Sequence, residues 1–122
     1  MARFRLARPA QADLEQILAT STERWGNESR RRYAALLVAG MRHVAADPKS
    51  PLTRDRKDLL AGIRSLHLRH VRRGRRAGSV KQPVHVIYYR VVQPDVVEIV
   101  RILHERMDPT RHLDAALDQT EQ

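Results

Sequence analysis

From Pro9 onward the apolar positions fall at helical spacing. Ala10, Leu14, Ile17, Leu18, Ser21 and Trp25 sit at offsets 0, 4, 7, 8, 11 and 15, the stripe of an amphipathic helix whose first turn Pro9 suits. Gly26 is placed to end that helix in a left-handed cap, and Asn27 can cap a second one. The second carries Tyr33, Leu37, Met41 and Val44 on one face and stops before Pro48. Together they predict a helical hairpin, with Trp25 and Tyr33 on core-facing stripes. Ahead of it, residues 3–7 alternate, Phe4 and Leu6 pointing to one side. Three β-rich runs follow: IRSLHLRHV (63–71), VHVIYYRVV (84–92) and VVEIVRILH (96–104). Gln93-Pro94-Asp95 is a turn that pairs the last two antiparallel, while residues 72–83, RRGRRAGSVKQP, form a longer basic connection between the first two.

The predicted class is therefore α+β: an N-terminal strand, an α-helical hairpin and a three-stranded antiparallel sheet in the order β-α-α-β-β-β, with a short C-terminal segment. One sheet face is expected on the hairpin. The other, expected to carry Leu66 and Leu68, would stay open to a ligand or partner.

Composition narrows this to one domain. At 122 residues the chain is below the usual size for two, so 1–113 reads as a single unit and 114–122, ending DAALDQTEQ, as a polar, flexible tail. Cysteine is absent, which excludes disulfides and thiolate zinc sites and suits a reducing cytoplasm. The opening MARFRLARP lacks the apolar core of a signal peptide, and no run approaches a membrane span, so the expected location is cytoplasmic. The net charge of +9 is concentrated: residues 54–76 hold nine Lys/Arg against Asp55 and Asp58. A block of that kind attracts a polyanion or an acidic protein segment, or else serves as a solvated surface.

Candidate chemistry is sparse. The six histidines (43, 67, 70, 85, 104, 112) show no paired ligand spacing on a helix, so no metal site and no cofactor are expected. Tyr88 and Tyr89 are strand neighbours and must face opposite sides, one core and one sheet surface. Arg101, set among Val, Ile and Leu, needs the open face or a carboxylate such as Glu98. A direct nucleic-acid module would draw on charge alone, because no recognition-helix pattern or stacking platform is evident.

These residues carry a resemblance. The RPAQADLEQILATSTERWG helix, the DLLAGIRSLHLRH approach to a strand, IYYRV, and above all VEIVRILHERMDPTRHL resemble ParE toxins of bacterial type II toxin–antitoxin modules over residues 3–113. The chain departs from the family pattern at RRGRRAGSVKQP, where typical members close a tight hairpin. The resemblance implies a toxin that acts on DNA gyrase and is neutralised by a ParD-like antitoxin wrapping it. On this reading Arg64, Leu66, Leu68, Arg69 and Arg90 would meet the antitoxin, and His104, Arg106, Arg111 and His112 would meet the target. Asp108-Pro109 would reverse the chain to present that cationic surface.

The same fold is shared with RelE-type ribosome-dependent mRNA endoribonucleases, the alternative function. Cleavage by 2'-hydroxyl attack needs a base, an acid and cations around the phosphate. His104, Arg69 and Arg90 are the candidates, but the segment HERMDPTRHL contains no Tyr. Two roles stand open for His104: a strand-end histidine bonding the backbone of the C-terminal segment, or a direct contact to the target.

Overall fold

The computed structural model describes residues 2–71 and 82–113. The expectations for the basic connection (72–83, but for its last two residues) and for the tail 114–122 lie outside the described residues. The elements are β1 (Arg3–Leu6), α1 (Arg8–Ala46), β2 (Arg54–Asp55), β3 (Arg64–His67), β4 (His85–Gln93) and β5 (Val96–His104). They build one five-stranded mixed sheet in the order β1-β5-β4-β3-β2. β1 runs parallel to β5 and every other pair is antiparallel. The α+β class and the β4–β5 turn follow the expectation; Gln93 pairs with Val96 across Pro94 and Asp95. The sheet has two strands beyond the three expected, because β1 joins it and the short β2 extends its other margin.

The expected hairpin is one helical span of 39 residues with a single break. Gly26, at φ 86 and ψ 176, is the one non-helical residue inside α1. A straight helix would hold Ala10 and Val44 roughly 50 Å apart at ~1.5 Å per residue. The nine residues of β5 span roughly 30 Å. Yet Ala10 and Val44 belong to the same buried cluster, so the chain must turn back at the break. A positive φ with extended ψ is open to glycine at little cost and to other residues only with strain. Trp25, immediately before it, is 70% exposed, against the expectation of a core position. Helical spacing states which side of a helix a residue lies on, not whether anything lies opposite it.

The face of the sheet under α1 carries Leu66, Ile87, Tyr89, Val97, Ile99 and Ile102, packed on Ala10, Leu37, Met41 and Val44. The helix rides close at Gly40, where an added Cβ would lie 2.9 Å from both Ile87 Cδ1 and Leu68 Cδ2. Leu66 and Leu68 are fully buried here, which corrects their placement on an open face. Alternation requires that residues 66 and 68 share a side but does not say which side. β3 also stops at His67 and tightens into a 3-10 turn at Leu68–His70.

The second face is covered as well. Tyr88, Val100 and Leu103 pack on Ile63 from the β2–β3 connection and on Leu113 from a helical turn at 109–113. Tyr88 and Tyr89 do face opposite sides, but both are buried. The face expected to be open is thus free only toward the β2–β3 margin. Burial on both sides explains why β5 reads as a nearly continuous apolar run.

β1 ends at Leu6, so the later part of β5 loses its neighbour on that side. Asp13 from α1 takes over: one carboxylate oxygen accepts the Ile102 N–H at 3.0 Å. Both oxygens also accept the Arg101 guanidinium at 2.7 Å. Arg101 therefore satisfies the need for a carboxylate, with Asp13 in place of the expected Glu98. Buried Glu98 is shared instead by Arg5 and Arg90.

Candidate functional site

β3, β4 and β5 bring their ends to one margin of the sheet. There His104 pairs across the ladder with His85, and His67 pairs with Val86 beside it. The His85 and His104 rings meet edge to face at 5.7 Å. From α1, the Tyr33 hydroxyl lies 2.6 Å from His85 Nδ1 and accepts the Val84 N–H at 3.3 Å. Desolvation by burial, then the neighbouring His104, push the His85 pKa down to about 4. The ring is neutral at pH 7, so one of its nitrogens carries the proton and the tautomer sets which way the Tyr33–His85 bond runs. Burial in turn raises the Tyr33 pKa.

Two strand-end histidines use one device. His67 Nδ1 accepts the Arg69 N–H and His104 Nδ1 accepts the Arg106 N–H, each at 3.1 Å. Both belong to a Leu-His-x-Arg run, Leu66 to Arg69 and Leu103 to Arg106. The ring turns the chain as it leaves the strand and leaves Nε2 as the outward donor. His67 Nε2 donates to Glu105 Oε1 at 2.7 Å, and this bond is the main reason the Glu105 carboxyl lies below its usual range. Of the two roles open for His104, the bond to the backbone of the C-terminal segment is present.

Past His104 the chain turns and Asp108 Oδ1 accepts the Thr110 N–H at 3.0 Å, capping the helical turn at 109–113 with Pro109 at its start. Besides Asp13, the Arg101 guanidinium donates to the His112 carbonyl at 3.2 Å, which ties this turn to β5. Arg106 and Arg111 are exposed, and His104 and His112 half-buried. The four residues expected at the target surface therefore lie on one short stretch at one end of the sheet.

The other expected sets are not assembled. Arg90 is five residues along β4 from His85, roughly 17 Å at ~3.3 Å per residue, and is tied to Glu98 at 2.9 Å. It cannot share a phosphate with His104. Of the antitoxin set, Leu66 and Leu68 are in the core, Arg90 is engaged, and Arg64 donates to Thr53 Oγ1 at 2.9 Å. Arg69 alone is exposed. It lines a small groove of about 190 Å³ on the second sheet face with Arg54, Arg56, His67, Tyr88 and Glu105.

Sequence reasoning missed Tyr33, His85 and the His67–Glu105 pair as members of this margin. A signal existed for His85: counting back from a two-residue turn that pairs Gln93 with Val96 places His85 opposite His104. No comparable signal existed for Tyr33, which comes from a different layer. Among the described residues no group of three or more His, Asp or Glu is arranged to hold a metal. No helix among them is long and apolar enough to cross a membrane.

Fold and margin define a small, basic α+β protein whose helical layer covers one sheet face and whose strand ends carry exposed Arg69, Arg106 and Arg111. A family model for the ParE toxin of the type II toxin–antitoxin system parDE matches residues 4–109. The chain belongs to that family and is the toxin component of such a system. Toxin ParE1 of Caulobacter vibrioides is 35% identical over 113 residues, covering 93% of this chain and 99% of its own. Toxin ParE1 of Mycobacterium tuberculosis is 32% identical over 111 residues, covering 91% and 97%. A solved structure titled as the chromosomal ParDE TA system from P. aeruginosa superposes with a TM-score of 0.62 at 18% identity, over 85% of this chain and 95% of that one, which shows the shared fold.

Proposed function

We propose that this toxin inhibits DNA gyrase by binding it through His104, Arg106, Arg111 and His112, and that a ParD-like antitoxin neutralises it in the cytoplasm. The carrying observation is how the arginines are used. Arg5, Arg90 and Arg101 are held by Glu98 or Asp13. Arg106 and Arg111 have no side-chain partner among the described residues, and they project from the turn that His104 and Asp108 shape. Unpaired cations on a shaped turn steer and orient an acidic partner without any bond being made or broken. Of the nuclease set His104, Arg69 and Arg90, Arg90 lies roughly 17 Å along β4 from the residue that pairs with His104, so the full set does not converge on one phosphate.

The test sets a gyrase supercoiling assay beside mRNA cleavage on translating ribosomes. The toxin should lower supercoiling and leave mRNA intact. Arg106→Glu with Arg111→Glu should raise the half-inhibitory concentration by about tenfold or more, since reversing charges at a complementary surface turns attraction into repulsion. His104→Ala should do less, because it loosens the turn without reversing a charge. Codon-specific mRNA cuts that vanish in His104→Ala would restore the nuclease reading.

A further inference from the structure

We propose that the groove on the second sheet face is a phosphate seat, which holds the backbone of a nucleic acid strand without cutting it. The inference goes beyond the reading above, which places gyrase on the turn after β5. Strand register builds the floor of the seat. Arg54 lies opposite Ser65 and Ser65 opposite Tyr88, so the three point to one side of the sheet, with His67 two residues along on the same side. The 3-10 turn after β3 adds Arg69 and His70, and the residue after β2 adds Arg56.

Three observations call for an anion there. Ser65 is only 4% exposed, yet its hydroxyl makes no hydrogen bond to a described residue, which leaves a buried donor on the groove floor. Arg54 and Arg69 are exposed and have no ion-pair partner among the described residues. Glu105, the single acid among the lining residues, is taken by His67 at 2.7 Å. Size and donor set then select the ligand. At about 190 Å³ the groove is smaller than the ~300–1,000 Å³ that encloses a drug-sized molecule, so it takes one group of a longer chain. A tetrahedral phosphate meets guanidinium forks and a hydroxyl from several directions, whereas a carboxylate accepts in one plane. The groove does not favour cleavage. His67 Nδ1 already accepts the Arg69 N–H and its Nε2 donates to Glu105, and that bond holds the Glu105 carboxyl below its usual range, which makes it a weak base.

The experiment titrates the full-length toxin against a short, labelled single-stranded RNA by fluorescence anisotropy from low to moderate salt. Arg54→Ser with Arg69→Ser should weaken binding by about tenfold or more and flatten its salt dependence, because fewer counterions are released. Arg30→Ser with Arg31→Ser removes the same charge from exposed positions on α1 and should change the affinity by less than about threefold. Ser65→Ala should weaken binding by about threefold or more while leaving the salt slope as it is, since it removes a donor and no charge. Unlabelled strand should compete at a charge concentration about tenfold or more below that of polyglutamate. Equal losses from the two arginine pairs would show that net charge alone attracts the strand and would overturn the seat, as would a wild type that binds no strand at low salt. Equal competition by polyglutamate assigns the groove to an acidic protein segment and overturns the proposal. Shortened strand after incubation with wild type, absent with Arg54→Ser and Arg69→Ser, overturns holding without cleavage.

Discussion

The link between α1 and β5 at Asp13 allows a quantitative test of what holds the helical layer on the sheet. Asp13 accepts two bonds from Arg101 at 2.7 Å and one from the Ile102 N–H at 3.0 Å, and the two side chains are only 14% and 15% exposed. Asp13→Ala would strand a nearly buried guanidinium and leave a strand N–H without its acceptor. Breaking one partner of a buried ion pair costs about 3–5 kcal/mol, and residual water access at this site favours the lower end. An unmet buried N–H contributes about 1 kcal/mol more, and the two are not additive. The expected loss is therefore about 3–4 kcal/mol, which lowers Tm by roughly 12–16 °C at about 4 °C per kcal/mol for a domain this size. Replacing both partners, Asp13→Leu with Arg101→Met, removes the charges together and should cost only about 1–2 kcal/mol, with the Ile102 N–H still unmet. Urea melts followed by circular dichroism on wild type, Asp13→Leu, Arg101→Met and the double variant give the coupling directly, with Asp13→Ala measured beside them. A cost below about 1 kcal/mol for Asp13→Ala, or a double variant as unstable as the sum of the singles, would refute the reasoning.

Three further outcomes follow from the same geometry. His85 is expected to make stability pH-dependent: its native pKa of about 4 lies below its ordinary 6.5, so the unfolded chain takes up the proton first. Stability is then fully present above pH 6.5 and lost as pH falls toward 4, by about 2–3 kcal/mol after allowing for partial solvent access; equal stability–pH slopes for wild type and His85→Gln in urea melts would refute this. Gly40→Ala should destabilise by about 1–2 kcal/mol in the same assay, because overpacking against Ile87 and Leu68 outweighs about 1 kcal/mol of helix propensity. Gly26→Ala should cost about 1–3 kcal/mol through backbone strain alone, since nothing lies within 4 Å of the added Cβ, and unchanged stability would show that the break can relax.

The parts of this fold that were legible in the sequence are those set by local rules. A two-residue turn fixed the β4–β5 register, glycine at residue 26 marked the reversal of α1, and the apolar stripes of its two arms identified what packs. What stayed hidden depends on the third dimension. Nothing in the alternation of Leu66 and Leu68 states which side the helix will take, and nothing local to Trp25 reveals that no partner lies opposite it. Arg101 shows the limit most clearly: the need for a carboxylate was readable from its apolar neighbours, but Asp13 and Glu98 are both acids within reach of some β5 position. The choice was made by where β1 stops. Once β1 ends at Leu6, the exposed side of β5 needs an acceptor for Ile102 N–H, and only the acid on the helix beside that gap can supply it while also taking Arg101.

The same dependence explains the candidate site. His104 was readable because it ends an apolar run just before a turn-forming segment, but its neighbours come from three separate stretches of chain. The repeated Leu-His-x-Arg runs link them physically. In each, the buried leucine anchors a strand end, the histidine ring takes the backbone N–H two residues on, and the arginine is thrown outward by the turn so formed. Arg69 and Arg106 are exposed for the same structural reason, and exposure at one sheet margin follows from β3 and β5 ending there on either side of β4. The cations offered to a partner are therefore placed by the hydrophobic register of the sheet. A one-residue slip of β5 would move Leu103 to the opposite sheet face and displace Arg106's turn, so the core that gives the fold its stability also holds the toxin's charged margin in place.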